Sequence, residues 1–453
     1  MREADFVRAM DMAAAFLTLP EAFAATTITA SATTWSNGEY LLNGDVTISS
    51  RIEVSGAVTL TLTRGTLTAP KGIHVAEGNS LTINGTSGTL LINGLDSDND
   101  DDNHFAGIGG NWSEACGAIV INGGSVTVTS GGFGGPGIGN GPNVSSGGSI
   151  TINGGRINVT GGGGAAGIGG GQNALLILSS AHSGPAVTIT GGNVTAQGGT
   201  YIGGSHYTVG AAGIGGGEAG SGGRITITGG TVNAAGSEDG AGIGGGSSTA
   251  YTNSGTRIQI SGAANVTAQG GDGGAGIGSS AGGVGSVEIS GGTVNATGGS
   301  GAAGIGNGKK DDFGSSTNRV TISGGSVTAQ GGAGAAGISS GSGSERRASV
   351  TITGGSVTAT AGSGATAAVS GSNVSVEGVS AEALASGTVT VGSSNSGSNG
   401  SGGSGSGSTG NAVANGGLPD TAVGDSRTLY VWMCAASLLC AAGAYAFRRR
   451  VSP

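Results

Sequence analysis

One phrase dominates the chain: two or three apolar residues alternating with polar ones and ending in a glycine pair. It reads Ile-Thr-Ile-x-Gly-Gly or a close variant at Ile119–Gly124, Ile150–Gly155, Val187–Gly192, Ile225–Gly230, Val287–Gly292, Val320–Gly325 and Val350–Gly355. A degenerate copy spans Ile258–Ala263. Period-two alternation places Val187 and Ile189 on one face of a strand and Thr188 and Thr190 on the other. A second strand-like phrase follows, for example Val126–Thr129, Val194–Gln197 and Val327–Gln330. A third, Ala-Gly-Ile-Gly or a relative, centres on Ile108, Ile138, Ile168, Ile214, Ile243, Ile277, Ile305 and Ile338. Each unit of about 30 residues therefore holds three short strands separated by glycines that let the chain corner tightly.

Three strands and three corners make one coil. Coils stacked about 4.8 Å apart bury ladders of Val and Ile, and no coil hides its apolar face alone. The expected fold is all-β: a parallel β-helix, or β-solenoid, with one transmembrane helix near the C-terminus. Residues 25–105 lack the third phrase but keep alternating pieces, as in Val58–Leu62 and Ser80–Ile83. They are expected to form irregular opening coils and a cap, with Trp35–Leu42 closing the first. Residues 106–391 form the regular solenoid, fading after Gly355, with Val374–Val376 and Val389–Val391 as the last strands.

Composition agrees. Of 453 residues 104 are Gly and only 7 are Pro, which excludes a collagen helix. Charged residues make up 9%, against roughly 25% in ordinary domains, and the net charge is -9. A nucleic-acid partner is excluded on that balance, because phosphate backbones need basic surface. Three cysteines allow neither a disulfide framework nor a CxxC metal site.

The ends carry address-like signals. Ala13–Leu19 is apolar, and Ala22–Ala24 offers a small-x-small cleavage site, so residues 1–24 read as a signal peptide. Residues 392–417 are almost wholly Gly, Ser and Asn, a flexible linker with a reach of about 28 Å. Leu418, Pro419, Asp420, Thr421 and Ala422 follow, then the uncharged stretch Leu429–Phe447, then Arg448–Arg450. That stretch is about 28 Å long as a helix, enough to span a bilayer, and the arginines set its far end in the cytoplasm.

The order of pentapeptide, span and basic tail in residues 418–453 resembles the LPxTG-like cell-wall sorting signal of Gram-positive surface proteins. The resemblance implies attack by a sortase on the Thr421 carbonyl, cleavage between Thr421 and Ala422, and transfer to peptidoglycan at the cell wall. The family usually has Gly where this chain has Ala422. The repeating body resembles Gly-rich right-handed parallel β-helix proteins of bacterial surfaces described as carbohydrate-binding domain-containing. That resemblance implies a polysaccharide or host-glycan ligand and an adhesive, non-catalytic role.

Candidate chemistry is sparse. Acids between Ala106 and Ser370 are scattered: Glu114, Glu218, Glu238, Asp239, Asp272, Glu288, Asp311, Asp312 and Glu345. A polysaccharide lyase or hydrolase needs clustered carboxylates, or carboxylates beside Arg or Lys. His74, His104, His182 and His206 show no ligand spacing and read as loop or edge residues. The densest acidic run contains Asp96, Asp98, Asp100 and Asp102. Their alternate oxygens suit calcium, although the EF-hand Gly and Glu positions are missing. Two aromatic groups offer sugar platforms: Tyr201, His206, Tyr207 and Tyr251 in inserted stretches, and Phe105 with Trp112 around Ile108. Arg224, Arg257 and Arg319 occupy one slot of the repeat and are expected to align. Three readings stay open: a glycan-binding surface protein, an enzyme on the same scaffold, and a purely structural stalk.

Overall fold

The computed structural model describes residues 24–93, 104–129, 133–173, 182–203, 207–247, 254–280, 284–309, 319–339, 349–371, 373–378, 384 and 387–392. The chain divides into two compact units, Met1–Ala414 and Asn415–Pro453. The second unit, with Leu418–Ala422 and the expected span, lies outside the described residues, as do residues 1–23. Among the described residues no helix is long and apolar enough to cross a membrane.

Three rows of parallel strands run along the unit. The first row pairs Ser80–Gly85, Ala118–Ile121, Ser149–Ile152, Ala186–Ile189 and Arg224–Ile227 in sequence, and continues through Ser349–Ile352 to Asn373–Val376. The second row pairs Thr89–Ile92, Ser125–Val128, Arg156–Thr160, Asn193–Gln197, Thr231–Ala235 and Asn265–Gln269. The third is two residues wide, Ile108–Gly109 pairing Ile138–Gly139 and so on to Ile338–Ser339. The apolar residues of the phrases meet without slippage: Ile150 faces Val187, and Val187 faces Ile225. A one-residue slip would turn each buried column outward, which fixes the register.

The core is a column of these aliphatics. Ile119, Ile150, Val187, Ile225, Ile258, Val287, Val320 and Val350 are buried, as are the third-row isoleucines from Ile108 to Ile338. Each fully buried Val or Ile stabilises by about 1.5–3 kcal/mol relative to exposure, an upper estimate for a compact unfolded chain. The second row changes along the axis from Val128 and Val159 to Ala196, Ala234, Ala268, Ala296, Ala329 and Ala359. The interior is narrow: a Cβ on Gly137 would stand 2.1 Å from Val159 Cγ1.

The opening coils are more regular than their sequence. Thr34–Asn43 and Ile52–Arg64 pair in parallel, and Ala57–Leu62 joins the first row against Ser80–Gly85. Trp35 is wholly buried and stacks on Tyr40 at 5.3 Å, while Thr26–Thr27 lies beyond against Tyr40 and Leu41. At the other end Thr388–Val391 runs antiparallel to Ser356–Thr360, and the parallel winding stops there. At the corner after the first row Asn122 donates to Asn84 at 2.9 Å and Asn153 to Asn122 at 2.8 Å. Thr190 donates to Asn153 at 2.7 Å, so a side-chain ladder runs parallel to the axis.

Candidate functional site

The turns after the second row stack into one corner, where the aromatic side chains collect. His104 lies 4.8 Å from Trp112 and 5.2 Å from Phe133, ring centroid to centroid. Phe133 meets Tyr201 edge-on at 5.1 Å. One member of each aromatic group separated in the sequence reading, Trp112 and Tyr201, thus joins a single seam, Trp112–His104–Phe133–Tyr201, across successive coils. Gly163 lies beside Tyr201: a Cβ added there would meet Tyr201 Cβ at 3.5 Å, an ordinary contact. Phe133 is buried, whereas Trp112 is 42% exposed. Tyr201 is half-buried and starts an antiparallel hairpin, Tyr201–Gly203 with Tyr207–Val209, in which Ile202 is 75% exposed. Tyr207 falls on the second hairpin strand. His206, Tyr251 and the acidic positions Asp96, Asp98, Asp100 and Asp102 lie outside the described residues. Among the described residues no group of three His, Cys, Asp or Glu side chains is placed to hold a metal ion.

Phe105 does not join the seam. The Arg51 guanidinium carbon lies 4.0 Å from its ring centroid, a cation–π contact. Arg51 also donates to the carbonyls of Lys71 at 2.9 Å and Ala106 at 3.1 Å. Burial lowers its pKa to about 10, and the charges of Glu53 and Glu114 pull it back up.

Beside it stands a cluster that the sequence reading missed. His74 lies in the strand Ile73–Val75 and is no loop residue. Its Nδ1 is 2.5 Å from Glu53 Oε2 and its Nε2 is 2.6 Å from Glu114 Oε2. The Asn111 backbone N–H donates to the same Glu114 oxygen at 3.1 Å, and the Asn111 amide lies 3.1 Å from Nε2. Each ring nitrogen thus lies within hydrogen-bond distance of a carboxylate oxygen. The imidazole and two carboxylates clamp Ile52–Arg64, Ile73–Val75 and the turn after Ile108–Gly109 together. Both ring nitrogens are committed, so the imidazole turns no free lone pair toward solvent.

A second buried polar contact lies near the seam, where Gln172 Nε2 donates to Glu218 Oε2 at 2.5 Å. His182 sits on a short edge strand, His182–Ser183, paired with Gly220–Ser221. Arg224 faces Arg257 directly, while Ser286 separates Arg257 from Arg319. Arg257 reaches Glu288 only at 3.9 Å with both side chains half exposed, a pair worth little in water.

Stacked parallel strands in three rows around a single aliphatic column define the class: a parallel β-helix. Eight segments, residues 119–142, 150–172, 187–218, 225–247, 258–282, 287–309, 320–342 and 350–373, match the family model described as Beta helix repeat. None of the curated proteins and none of the solved structures compared with the chain matches it.

Proposed function

We propose that the protein is a cell-surface anchored β-solenoid that binds polysaccharide and does not catalyse. The aromatic seam carries this reading. Trp112 and Tyr201 offer apolar ring faces with polar tips at one corner of the stack, the chemistry by which sugar rings are held. The scaffold beneath them is rigid, so little ordering entropy opposes binding. The linker at 392–417, the Leu418–Ala422 signal with its Thr421–Ala422 bond, and the apolar segment Leu429–Phe447 support display outside the membrane of a Gram-positive cell, with sortase and peptidoglycan as partners.

Retention on insoluble polysaccharides tests the reading. Wild type is expected to be retained, and W112A/Y201A to lose at least tenfold in affinity. No retention on any neutral or acidic glycan, with or without calcium, leaves a structural stalk instead. A polysaccharide-cleaving reading draws support from Glu53, His74, Glu114 and Arg51, which stand close to Trp112. Release of reducing or unsaturated sugar ends that is lost in E114Q would favour it over binding alone.

A further inference from the structure

The outward side of the second strand row contrasts with that of the first row in the same coils. Six consecutive strands of this row, from Asn193–Gln197 to Ser356–Thr360, pair residue for residue with no bulge. Each turns three side chains away from the core. The first strand presents Asn193, Thr195 and Gln197, and the last presents Ser356, Thr358 and Thr360. Every outward position between them is Thr, Asn, Gln, Ser or Ala, without one charge. The first row of the same coils turns out Arg224, Arg257, Glu288 and Arg319. Charge returns below the face at Arg156, which pairs with Asn193, and past its corner at Glu238, Asp239 and Asp272.

A sheet face that only meets water gains solubility from charge. This one excludes charge while keeping hydrogen-bonding groups at every column. The columns are about 6.6 Å apart along each strand and the coils about 4.8 Å apart. The face measures about 13 Å by 24 Å on those spacings, or about 300 Å². A standard protein–protein interface needs about 800 Å² from each partner and draws on Trp, Tyr and Arg anchors. The face offers less than half that area and none of those residues, which argues against a second protein. The lack of Lys and Arg argues against an anionic partner. What fits is an extended, uncharged partner rich in hydroxyl groups. Mixed amide and hydroxyl side chains of unequal length suit alternating sugar hydroxyls better than a lattice of one repeated group.

We infer that this face docks an insoluble neutral polysaccharide through many parallel hydrogen bonds. The inference rests on the polysaccharide reading above but assigns it a second surface, separate from the aromatic seam. Each bond gives little net free energy in exchange for water, so affinity comes from the preformed array. T267K/N295K tests it, because Thr267 faces Asn295 on adjacent coils and both are exposed. Insoluble β-glucan and chitin serve as probes, with circular dichroism as the check on fold. The expected result is a native spectrum and at least tenfold weaker retention. Unchanged retention in T267K/N295K, with W112A/Y201A still impaired, overturns the face and leaves the polysaccharide reading standing. Failure of the wild type to bind either glycan overturns both. Ice shaping that T267K/N295K abolishes, without glycan retention, overturns the face in favour of ice.

Discussion

Replacing Gly215 by Ala separates the two demands that this fold places on its glycines. Gly215 has φ of +137° and closes a third-row strand, and Gly38 has φ of +141° in an opening coil. An L residue at such a φ costs about 1–3 kcal/mol in backbone strain. The surroundings differ. Nothing lies within 4 Å of a Cβ built on Gly38, whereas one on Gly215 would stand 2.0 Å from the Gly244 carbonyl oxygen of the next coil. Ordinary contact begins at 3.4 Å, so the coils must part by about 1.4 Å or the backbone must tilt. The same oxygen accepts the Gly216 N–H at 2.9 Å. Parting stretches that bond to roughly 4 Å, past hydrogen-bond range. Leaving the buried N–H unsatisfied costs about 1–3 kcal/mol, and residual overpacking adds about 1 kcal/mol or more. G38A is therefore expected to cost about 1–3 kcal/mol and G215A about 3–7 kcal/mol.

Repeat arrays depart from two-state unfolding, so the measurement must be local. Hydrogen exchange read by mass spectrometry gives the opening free energy of peptides around 214–216, 243–245 and 36–43. The G215A effect should decay over neighbouring coils and leave residues 52–64 unchanged. Equal costs for the two variants, within about 0.5 kcal/mol, would refute the claim that inter-coil carbonyls impose this glycine.

Two further outcomes follow from the opening coils. E114Q keeps the shape of the Glu114 side chain but removes one of the two charges facing His74 and Arg51. It is expected to lower the opening free energy of residues 51–75 by about 1–2 kcal/mol, a modest value because Glu114 is partly solvated. The exchange of coils beyond residue 224 should not change, and an effect spread evenly over the unit would contradict the clamp. Burial pushes the Cys116 thiol from 9.0 up to about 12. The folded thiol then stays neutral while the unfolded one ionises, so its contribution is whole below pH 9 and fades from pH 9 to 12 by about 1.4 kcal/mol per unit. C116A should flatten that alkaline fall, and site-resolved alkylation at pH 8 should find Cys116 protected until the coils open.

The solenoid was legible because its phrases repeat in order, and their apolar residues sit opposite one another from coil to coil. The alignment of Arg224 with Arg257 followed from one shared slot. The opening coils were less legible. Their third row is supplied by Ile52–Val54 and Ile73–Val75, which lack the Ala-Gly-Ile-Gly phrase yet meet the same ladder at Ile108. Hydrogen bonding and burial dictate that row, and glycine is required only where neighbouring coils approach as closely as at Gly215. The Asn84–Asn122–Asn153 ladder stood in the text as the fourth letter of each phrase. Its meaning appears only when the phrases are placed one above another.

The His74 cluster escapes the sequence for a related reason, and the reason sets a rule for reading such chains. Along the chain the acids are scattered, and Glu53 and Glu114 stand far from each other and from His74. A β-helix assembles side chains across coils. Glu53 and His74 meet because they are partners in one parallel ladder, and Glu114 joins them from the turn of the following coil. Phe133 was overlooked likewise, because only the stacking of turns sets it between His104 and Tyr201. Charged or aromatic residues should therefore be compared at equal positions in successive coils, before any search for motifs along the chain. By that rule a functional cluster is a column, and its members stand one winding apart in sequence. The uncharged second-row face obeys the same logic: no single strand is unusual, and only the column of six reveals that charge is missing.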